Sequence, residues 1–172
     1  EVQSICLKYH GRPDYFIWAL LDEYDPALAH KHIDVPAENI KFIKCDGELD
    51  LLLKFVTFWN AKDTCPDVVT GWNVRMFDIP YLVNRMQRML GGDSYKKFSP
   101  WNVVREKQVS MQGRTQQVYD IVGIEQLDYW DLFQKFGNLT FGVQESYKLD
   151  HIANVVLGEK KLSYEEHGNL YT

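Results

Sequence analysis

The fold of this chain is decided by residues 70–81, which read Thr70-Gly71-Trp72-Asn73-Val74-Arg75-Met76-Phe77-Asp78-Ile79-Pro80-Tyr81. The apolar run before the glycine, Asp67–Thr70, predicts a short strand, and the apolar spacing after Asp78 predicts an amphipathic helix. Asp78 lies where that helix should begin. A carboxylate at this place either caps the helix or holds a divalent metal ion against a phosphate, and its position alone favours the cap.

Two neighbours of Asp78 shift the balance towards a binding site. Asn73 lies five residues earlier, on the turn that leaves the strand, and Phe77 lies between them. The carboxyl end of a sheet strand is where α/β proteins generally bind ligands. There an amide, an aromatic ring and a carboxylate could bind, stack on and cleave a single strand of nucleic acid. A base stacked on an aromatic ring contributes about 1–3 kcal/mol, whatever the nucleotide sequence.

The composition is that of one globular domain. The chain has 172 residues, of which 45% are hydrophobic and 14% aromatic, and this excludes an intrinsically disordered protein. No apolar run approaches the roughly 18 residues of a membrane span, and no signal peptide is recognisable. Three widely spaced cysteines predict reduced thiols in a cytosolic protein rather than disulfides or a zinc site.

The net charge is weak evidence about function. At −5 it argues mildly against a broad phosphate-binding surface. It does not exclude a nuclease, because carboxylates that hold metal add acidic residues at the reaction site. Neither G-x-G-x-x-G nor G-x-x-x-x-G-K-[ST] occurs, which lowers the odds of a nucleotide-binding Rossmann or P-loop domain.

The first half of the chain predicts strands and then a helix. Val2–Tyr9 and Tyr15–Leu21 are rich in β-prone residues and predict an antiparallel hairpin. A loop is expected over Asp22–Pro36 and a short strand over Ile40–Lys44. Asp46 is expected to cap the helix that follows it. The core-facing residues of that helix are predicted to be Leu49, Leu52, Phe55 or Val56, and Trp59.

The second half alternates strands and helices. The helix after Asp78 has Pro80 in its first turn and ends at a glycine pair. Residues 103–121 alternate polar and apolar side chains, which predicts a solvent-facing β-hairpin. A strand is expected over Ile124–Trp130, a helix capped by Asp131, and a last helix from residue 146 with its buried stripe at Leu149, Ile152, Ala153, Val156 and Leu157. This order indicates an α/β fold, a mixed sheet flanked by helices.

Residues 70–81 also resemble a known motif. Thr70-Gly71-Trp72-Asn73, Phe77-Asp78-Ile79-Pro80-Tyr81 and Asn84-Arg85 closely resemble the second exonuclease motif of family B DNA polymerases, most of all those of T-even-type bacteriophages. The resemblance covers nearly the whole chain and is looser over the first 45 residues. Further matches in the same order are Phe98-Ser99-Pro100, Leu127-Asp128-Tyr129-x-Asp131-Leu132, Lys135-Phe136, Ser146-Tyr147-x-Leu149 and Lys161-Leu162-x-Tyr164.

The resemblance implies an RNase H-like 3′–5′ exonuclease domain that proofreads newly made DNA. In that family four carboxylates hold two divalent ions, Mg²⁺ or Mn²⁺, and such a pair activates water and stabilises the leaving oxygen. Asp78 matches one of the four carboxylates and is the expected catalytic and metal-binding residue. Asn73 and Phe77 match positions that hold the frayed primer end. The implied partners are the single-stranded 3′ end of primer DNA, the remaining polymerase domains and a sliding clamp, in the cytoplasm of an infected bacterium.

Two further motifs of the family are missing from this sequence. These are Asp-x-Glu, which should precede Val2, and Tyr-x-x-x-Asp, which should follow Thr172. No Asp-x-Glu elsewhere is expected to substitute. We therefore expect residues 1–172 to be a single partial exonuclease domain, truncated at both ends, with 103–121 as a β-hairpin extension. One carboxylate of four cannot hold two metals, so the chain alone is expected to be inactive.

Other acidic and basic residues receive structural interpretations. Asp131 is expected to cap a helix and Asp128 to lie at a polar edge position, with metal ligation there a minor alternative. Phosphate contact is likewise the minor alternative for a basic group that comprises Lys96, Lys97, Arg105, Lys107 and Arg114. The alternative for the whole chain is a stand-alone RNase H-like module that has lost its carboxylates and acts as a DNA-binding or structural domain.

Overall fold

The structure is a computed structural model, and it describes residues 1–21, 35–111 and 113–160. Most of the loop expected over Asp22–Pro36 lies outside the described residues. Within the described ranges, no helix is both long and apolar enough to cross a membrane.

The first sheet has three strands: β1 (Ser4–Lys8), β2 (Tyr15–Ala19) and β3 (Ile40–Lys44). β1 and β2 form an antiparallel ladder with Cys6 opposite Ile17, which confirms the predicted hairpin. β3 joins the other side of β2 in parallel. The three cysteines are free, and only Cys45, just after β3, is buried.

Helix α1 (Glu48–Trp59) packs on this sheet, and two details of its prediction are wrong. Gly47, not Asp46, is the N-cap residue, and the backbone N–H of Asp46 instead donates to the Asp50 carboxylate at 3.0 Å. Leu49 is 44% exposed while Leu51 is fully buried. The other predicted core residues of α1, which are Leu52, Phe55, Val56 and Trp59, are buried as expected. In the first turn the buried face holds Glu48 instead of Leu49.

A second ladder pairs β4 (Val68–Gly71) with β7 (Glu125–Asp128) in parallel. The last pair in its register is Gly71 with Asp128. Between these strands in sequence, β5 (Val104–Met111) and β6 (Arg114–Ile121) form the expected antiparallel hairpin. Its base is buried, while most of its described outer residues are exposed.

The segment after β4 contains an element that periodicity did not predict. Val74–Asp78 forms a π-helical turn, and α2 (Ile79–Leu90) continues directly from it. Pro80 lies in the first turn of α2, and Gly91, with φ of 74°, ends the helix, both as expected. The chain then forms a 3₁₀ segment, Ser94–Phe98, whose Tyr95 and Phe98 are buried.

Short helices follow β7. These are α3 (Tyr129–Leu132), a second π-helical turn (Phe133–Gly137), α4 (Asn138–Phe141) and α5 (Leu149–Leu157). The buried stripe predicted for α5 is wrong in extent, since only Ile152 is buried and Leu149 and Leu157 are exposed. Helical periodicity gives the apolar face, but burial also requires an element packed against that face.

Aromatic rings join α1 to the first sheet and to the 3₁₀ segment. The Trp18 and Phe55 rings lie 5.2 Å apart, and those of Trp59 and Phe98 lie 5.7 Å apart. The indole N–H of Trp59 donates to the Phe98 carbonyl at 2.8 Å. Burial of each such side chain contributes about 1.5–3 kcal/mol to folding. The same cluster includes Val74 and Ile79, so it supports the connection between β4 and α2.

The predicted mixed α/β class is confirmed at that level. The described strands form three separate sheets rather than one, because β1 and β4 line a groove instead of pairing. An RNase H-like arrangement and the status of residues 103–121 as an insertion remain predictions from the resemblance.

Candidate functional site

The candidate site is built on the connection between β4 and α2. Asn73 has φ of 66° and ψ of 24°, the left-handed conformation, which Asn tolerates better than most residues. This residue turns the chain out of the strand and into the π-helical turn. Its carbonyl oxygen then accepts the Phe77 N–H at 2.9 Å. Asn73 therefore sets the direction in which Phe77 and Asp78 leave the sheet.

Asp78 does not cap a helix, which corrects that part of the sequence interpretation. It has helical dihedral angles, φ −64° and ψ −49°, and no capping hydrogen bond from its side chain. The physical reason is the π-helical turn before it, whose Val74 carbonyl already accepts the Ile79 N–H. The first turn of α2 therefore has no need of a carboxylate at residue 78.

The Asp78 carboxyl group is unpartnered by side chains of the described residues. Although the residue reaches solvent, surrounding protein atoms desolvate its carboxyl and raise its pKa. The negative charge of Asp128 raises the pKa of Asp78 further. A hydrogen bond from the backbone N–H of Asp78 to its own carboxylate lowers this pKa. A nearby cation would favour the charged form by opposing both effects that raise the pKa.

Phe77 presents an aromatic surface beside this carboxylate. Its side chain is 61% exposed, and its ring lies 6.0 Å from that of Tyr81 with an interplanar angle of 8°. Tyr81 is also exposed and anchors the pair, because its hydroxyl donates to the Glu1 carbonyl at 3.2 Å. Two parallel exposed rings form a platform on which a nucleobase can stack.

Phe77 and Asp78 open onto a groove of about 1360 Å³. One wall is residues 1–13 and the other includes Val68–Gly71. Every residue of β1 and β4 lines it, whereas one face of a strand would contribute only alternate residues. The groove is therefore bordered by two strand edges, and among the described residues β1 pairs only with β2 and β4 only with β7. Asn73 lies on the adjoining turn and does not line the groove.

Asp128 is a central residue of the site that the sequence interpretation missed. Its side chain, not that of Asp131, caps α3 by accepting the Trp130 N–H at 2.9 Å. It also accepts the backbone N–H of Asn73 at 2.8 Å and of Arg75 at 2.9 Å. Asp128 is thus a buried acceptor rather than a polar edge residue. The sequence signal for this cap was an acidic residue at the end of a strand and directly before a helix.

Asp131 lies outside this network. Its carboxylate is 3.9 Å from the Arg75 guanidinium, a long ion pair between partly exposed groups that contributes little. The expectation that Asp131 caps the helix is therefore wrong, and the reason is that the strand ends three residues earlier, at Asp128.

A buried ion pair holds α2 against α1. The Glu48 carboxylate accepts the Arg85 Nε–H at 2.6 Å and a second guanidinium N–H of the same side chain. It also accepts the Val2 N–H at 2.9 Å. Arg85 and the Val2 N–H lower the pKa of Glu48 against the effect of its burial. This pair fixes the helix that begins after Asp78.

The described residues can supply one ligand for a metal ion. Among them no group of three or more His, Cys, Asp or Glu side chains could hold an ion. Asp46-Gly47-Glu48 has Asp-x-Glu spacing, but Glu48 is bound to Arg85. Mg²⁺ characteristically takes one or two carboxylates together with water and substrate phosphate. The free Asp78 carboxylate fits one such ligand position.

The basic residues near the hairpin are partly neutralised. Lys96 pairs with Asp93 at 2.7 Å, and Lys107 pairs with Asp120. Both pairs are exposed, which fits the structural interpretation of this group. The side chain of Arg114 lies outside the described part of the structure.

Comparison with known proteins confirms the resemblance seen in residues 70–81. A family model described as DNA polymerase family B, exonuclease domain, matches residues 4–152. The DNA-directed DNA polymerase of Escherichia phage RB69 is 37% identical over 135 residues, which are 77% of this chain and 14% of that protein. The DNA-directed DNA polymerase of Enterobacteria phage T4 is 34% identical over 135 residues, which are again 77% of this chain and 14% of that protein.

A viral relative outside the bacteriophages is also similar. The DNA polymerase catalytic subunit of Psittacid herpesvirus 1 is 34% identical over 140 residues, which are 78% of this chain and 12% of that protein. The chain thus spans about one seventh or less of the length of these relatives.

Proposed function

We propose a function from the premise that this chain belongs to the exonuclease domain family of family B DNA polymerases, whose model matches residues 4–152. The chain is part of the domain of a DNA polymerase that removes misincorporated nucleotides from the 3′ end of the primer. We call the longer protein of which it would be part the parent polymerase. The substrate is the single-stranded 3′ end of DNA, and the partners are the other polymerase domains and a sliding clamp.

The observation that carries this proposal is the arrangement at the groove. An exposed aromatic pair, Phe77 and Tyr81, adjoins a desolvated carboxylate that no described side chain neutralises, Asp78. Phe77 would stack on the last bases of a frayed strand. The Asn73 amide would hydrogen-bond to the same strand, and Asp78 would hold Mg²⁺ or Mn²⁺. When bound, two such ions supply an activated water and stabilise the leaving oxygen.

The remaining ligands would come from outside the described residues. Two metal ions need more than one carboxylate, and the described part of the chain offers no group of three candidates. The open edges of β1 and β4 leave room beside Asp78 for a further strand. On this proposal, the 172-residue chain alone binds a DNA end without cleaving it.

The test is hydrolysis of a labelled single-stranded oligonucleotide with Mg²⁺ or Mn²⁺. We expect no product from the 172-residue chain and 3′–5′ shortening by the parent polymerase. Hydrolysis by the chain alone that disappears in Asp78→Ala would overturn the predicted inactivity. A parent protein that binds single-stranded DNA but never shortens it would instead favour the alternative, a DNA-binding or structural module without nuclease activity.

A further inference from the structure

The Asp128 carboxylate lies at the junction of the two segments that form the site. It is 3% exposed and stands level with Gly71 at the end of the β4–β7 ladder. Beyond that pair the two backbones diverge, β4 into the turn at Asn73 and β7 into α3. The side chain of Asp128 spans this divergence.

Both oxygens of Asp128 are engaged by backbone donors. Oδ1 accepts the N–H groups of Asn73 at 2.8 Å and Trp130 at 2.9 Å, and Oδ2 accepts the Arg75 N–H at 2.9 Å. A helical turn leaves its first N–H groups without partners inside the helix. Asn73 is the N-cap residue of the π-helical turn, and its own side chain makes no capping bond. Asp128 therefore caps this turn from a neighbouring strand.

The Asp128 carboxylate contacts a part of the backbone with unusual conformation. Asn73 is one of two non-glycine residues with positive φ among the described residues, and π-helical geometry is rare. Without acceptors for the N–H groups of Asn73 and Arg75, the turn would relax towards ordinary helical geometry. Such a change would rotate Phe77 and Asp78 away from their present places on the groove.

We propose that Asp128 is a positioning residue for the exonuclease site: its carboxylate holds the backbone at Asn73 and Arg75 and thereby places Phe77 and Asp78. It does so without binding metal, since its oxygens already accept three N–H groups. This inference rests on the proposed function, because it assigns the role of Asp128 in that reaction.

Asp128→Asn is the variant that tests it, and Asp131→Asn is the matched control. The amide retains one oxygen acceptor but turns an N–H₂ group towards a backbone N–H, so at least one of the three bonds is lost. The control removes the same charge three residues later, where the contact is only the long ion pair to the Arg75 side chain. Asp128→Ala, which removes all three bonds, serves as the more severe variant.

In the 172-residue chain we expect Asp128→Asn to fold and to lose protection from hydrogen exchange at the Asn73 or Arg75 amide. In the parent polymerase we expect kcat for 3′–5′ hydrolysis to fall about 10- to 100-fold, the size of effect that misplaced catalytic groups produce. The Mg²⁺ concentration for half-maximal rate should not change. Asp131→Asn should match the wild type in both proteins.

Several outcomes would overturn the assignment. Unchanged exchange and unchanged kcat in Asp128→Asn would show that the carboxylate positions nothing. Activity restored to the wild-type level by raised Mg²⁺ would make Asp128 a metal ligand instead. Asp78→Asn in the parent polymerase distinguishes failure of the proposed function from failure of this inference. If the proposed function is wrong, Asp78→Asn also leaves the rate of hydrolysis unchanged. If Asp128→Ala does not fold, Asp128→Asn still decides the question.

Discussion

Phe77 is an exposed aromatic side chain of the candidate site. An apolar ring that is 61% exposed gains little from the fold, and its neighbour Tyr81 covers only one of its faces. The other face is available to a ligand. The proposed function assigns this exposed face to the end of a nucleic-acid strand.

We predict that Phe77→Ala weakens the binding of a single-stranded oligonucleotide by this chain about 5- to 160-fold. This range corresponds to the loss of one base stack of about 1–3 kcal/mol. The measurement is a fluorescence titration with an oligonucleotide that carries a stacking-sensitive base at its 3′ end. Phe77→Trp should bind at least as well as the wild type.

Phe136→Ala is the control for this prediction, because that ring is equally exposed at 61% but belongs to the second π-helical turn. It should leave the affinity unchanged. Equal weakening by the two alanine variants would mean that binding reflects general surface hydrophobicity, which would contradict a stacking site at Phe77.

Residues adjacent in sequence were the ones that sequence reasoning could place. Asn73, Phe77 and Asp78 fall within one strand–turn–helix connection, so their proximity follows from local structure. Asp128 was misassigned because its partners Asn73 and Arg75 lie 55 and 53 residues away. A contact over that distance depends on the β4–β7 pairing, which no local pattern specifies.

At the scale of elements, the Glu48–Arg85 pair joins the first turn of α1 to the middle of α2. Both side chains are largely buried, so loss of one partner would leave an uncompensated charge in the interior. The groups that face Glu48 are the Arg85 guanidinium, the Val2 N–H and the positively charged N-terminus. All three favour the ionised carboxylate.

We predict that Glu48→Gln lowers the free energy of unfolding of the chain at pH 7. The loss should be at most about 3–5 kcal/mol, the value typical of a broken buried ion pair. The pKa of Glu48 is lowered from 4.5, so its contribution is present above that pH. The contribution is lost as pH falls towards the lowered value, because the folded carboxylate must then take up a proton. The difference between wild type and variant should therefore shrink in acid.

Urea unfolding at pH 7 and at pH 3 measures this difference. The control is Asp93→Asn, which breaks the exposed pair with Lys96 and should cost less than about 1 kcal/mol at either pH. A destabilisation by Glu48→Gln that is the same at both pH values would contradict the electrostatic origin of the contribution.

The elements themselves were largely predictable, and the errors have physical causes. Alternation and apolar spacing give the β1–β2 hairpin, α1, α2 and the hairpin at 104–121. The π-helical turn was missed because its hydrogen bonds join residues five apart, whereas the prediction relied on α-helical spacing. Leu49 and α5 were misjudged because spacing identifies an apolar face, but the neighbouring elements decide whether it is covered.

At the scale of the described molecule, the candidate site lies beside two open strand edges. The parallel pairing of β4 with β7 and the groove between β1 and β4 could not be foreseen, since each depends on the placement of distant segments. Their arrangement explains how one domain can present a carboxylate and an aromatic platform while the described residues lack a full set of metal ligands.

The central claim is that Asp78 is a metal-binding catalytic residue and not a helix cap. The decisive measurement is the rate of 3′–5′ hydrolysis of a mispaired primer end by the parent polymerase carrying Asp78→Asn. We predict a loss of at least about 1000-fold, within the range for losing an essential catalytic group. Nucleotide incorporation should stay at the wild-type rate, and the unfolding free energy of the 172-residue chain should change by less than about 0.5 kcal/mol. Hydrolysis at the wild-type rate, or a stability loss of the size of a lost cap, about 1 kcal/mol, would contradict the claim.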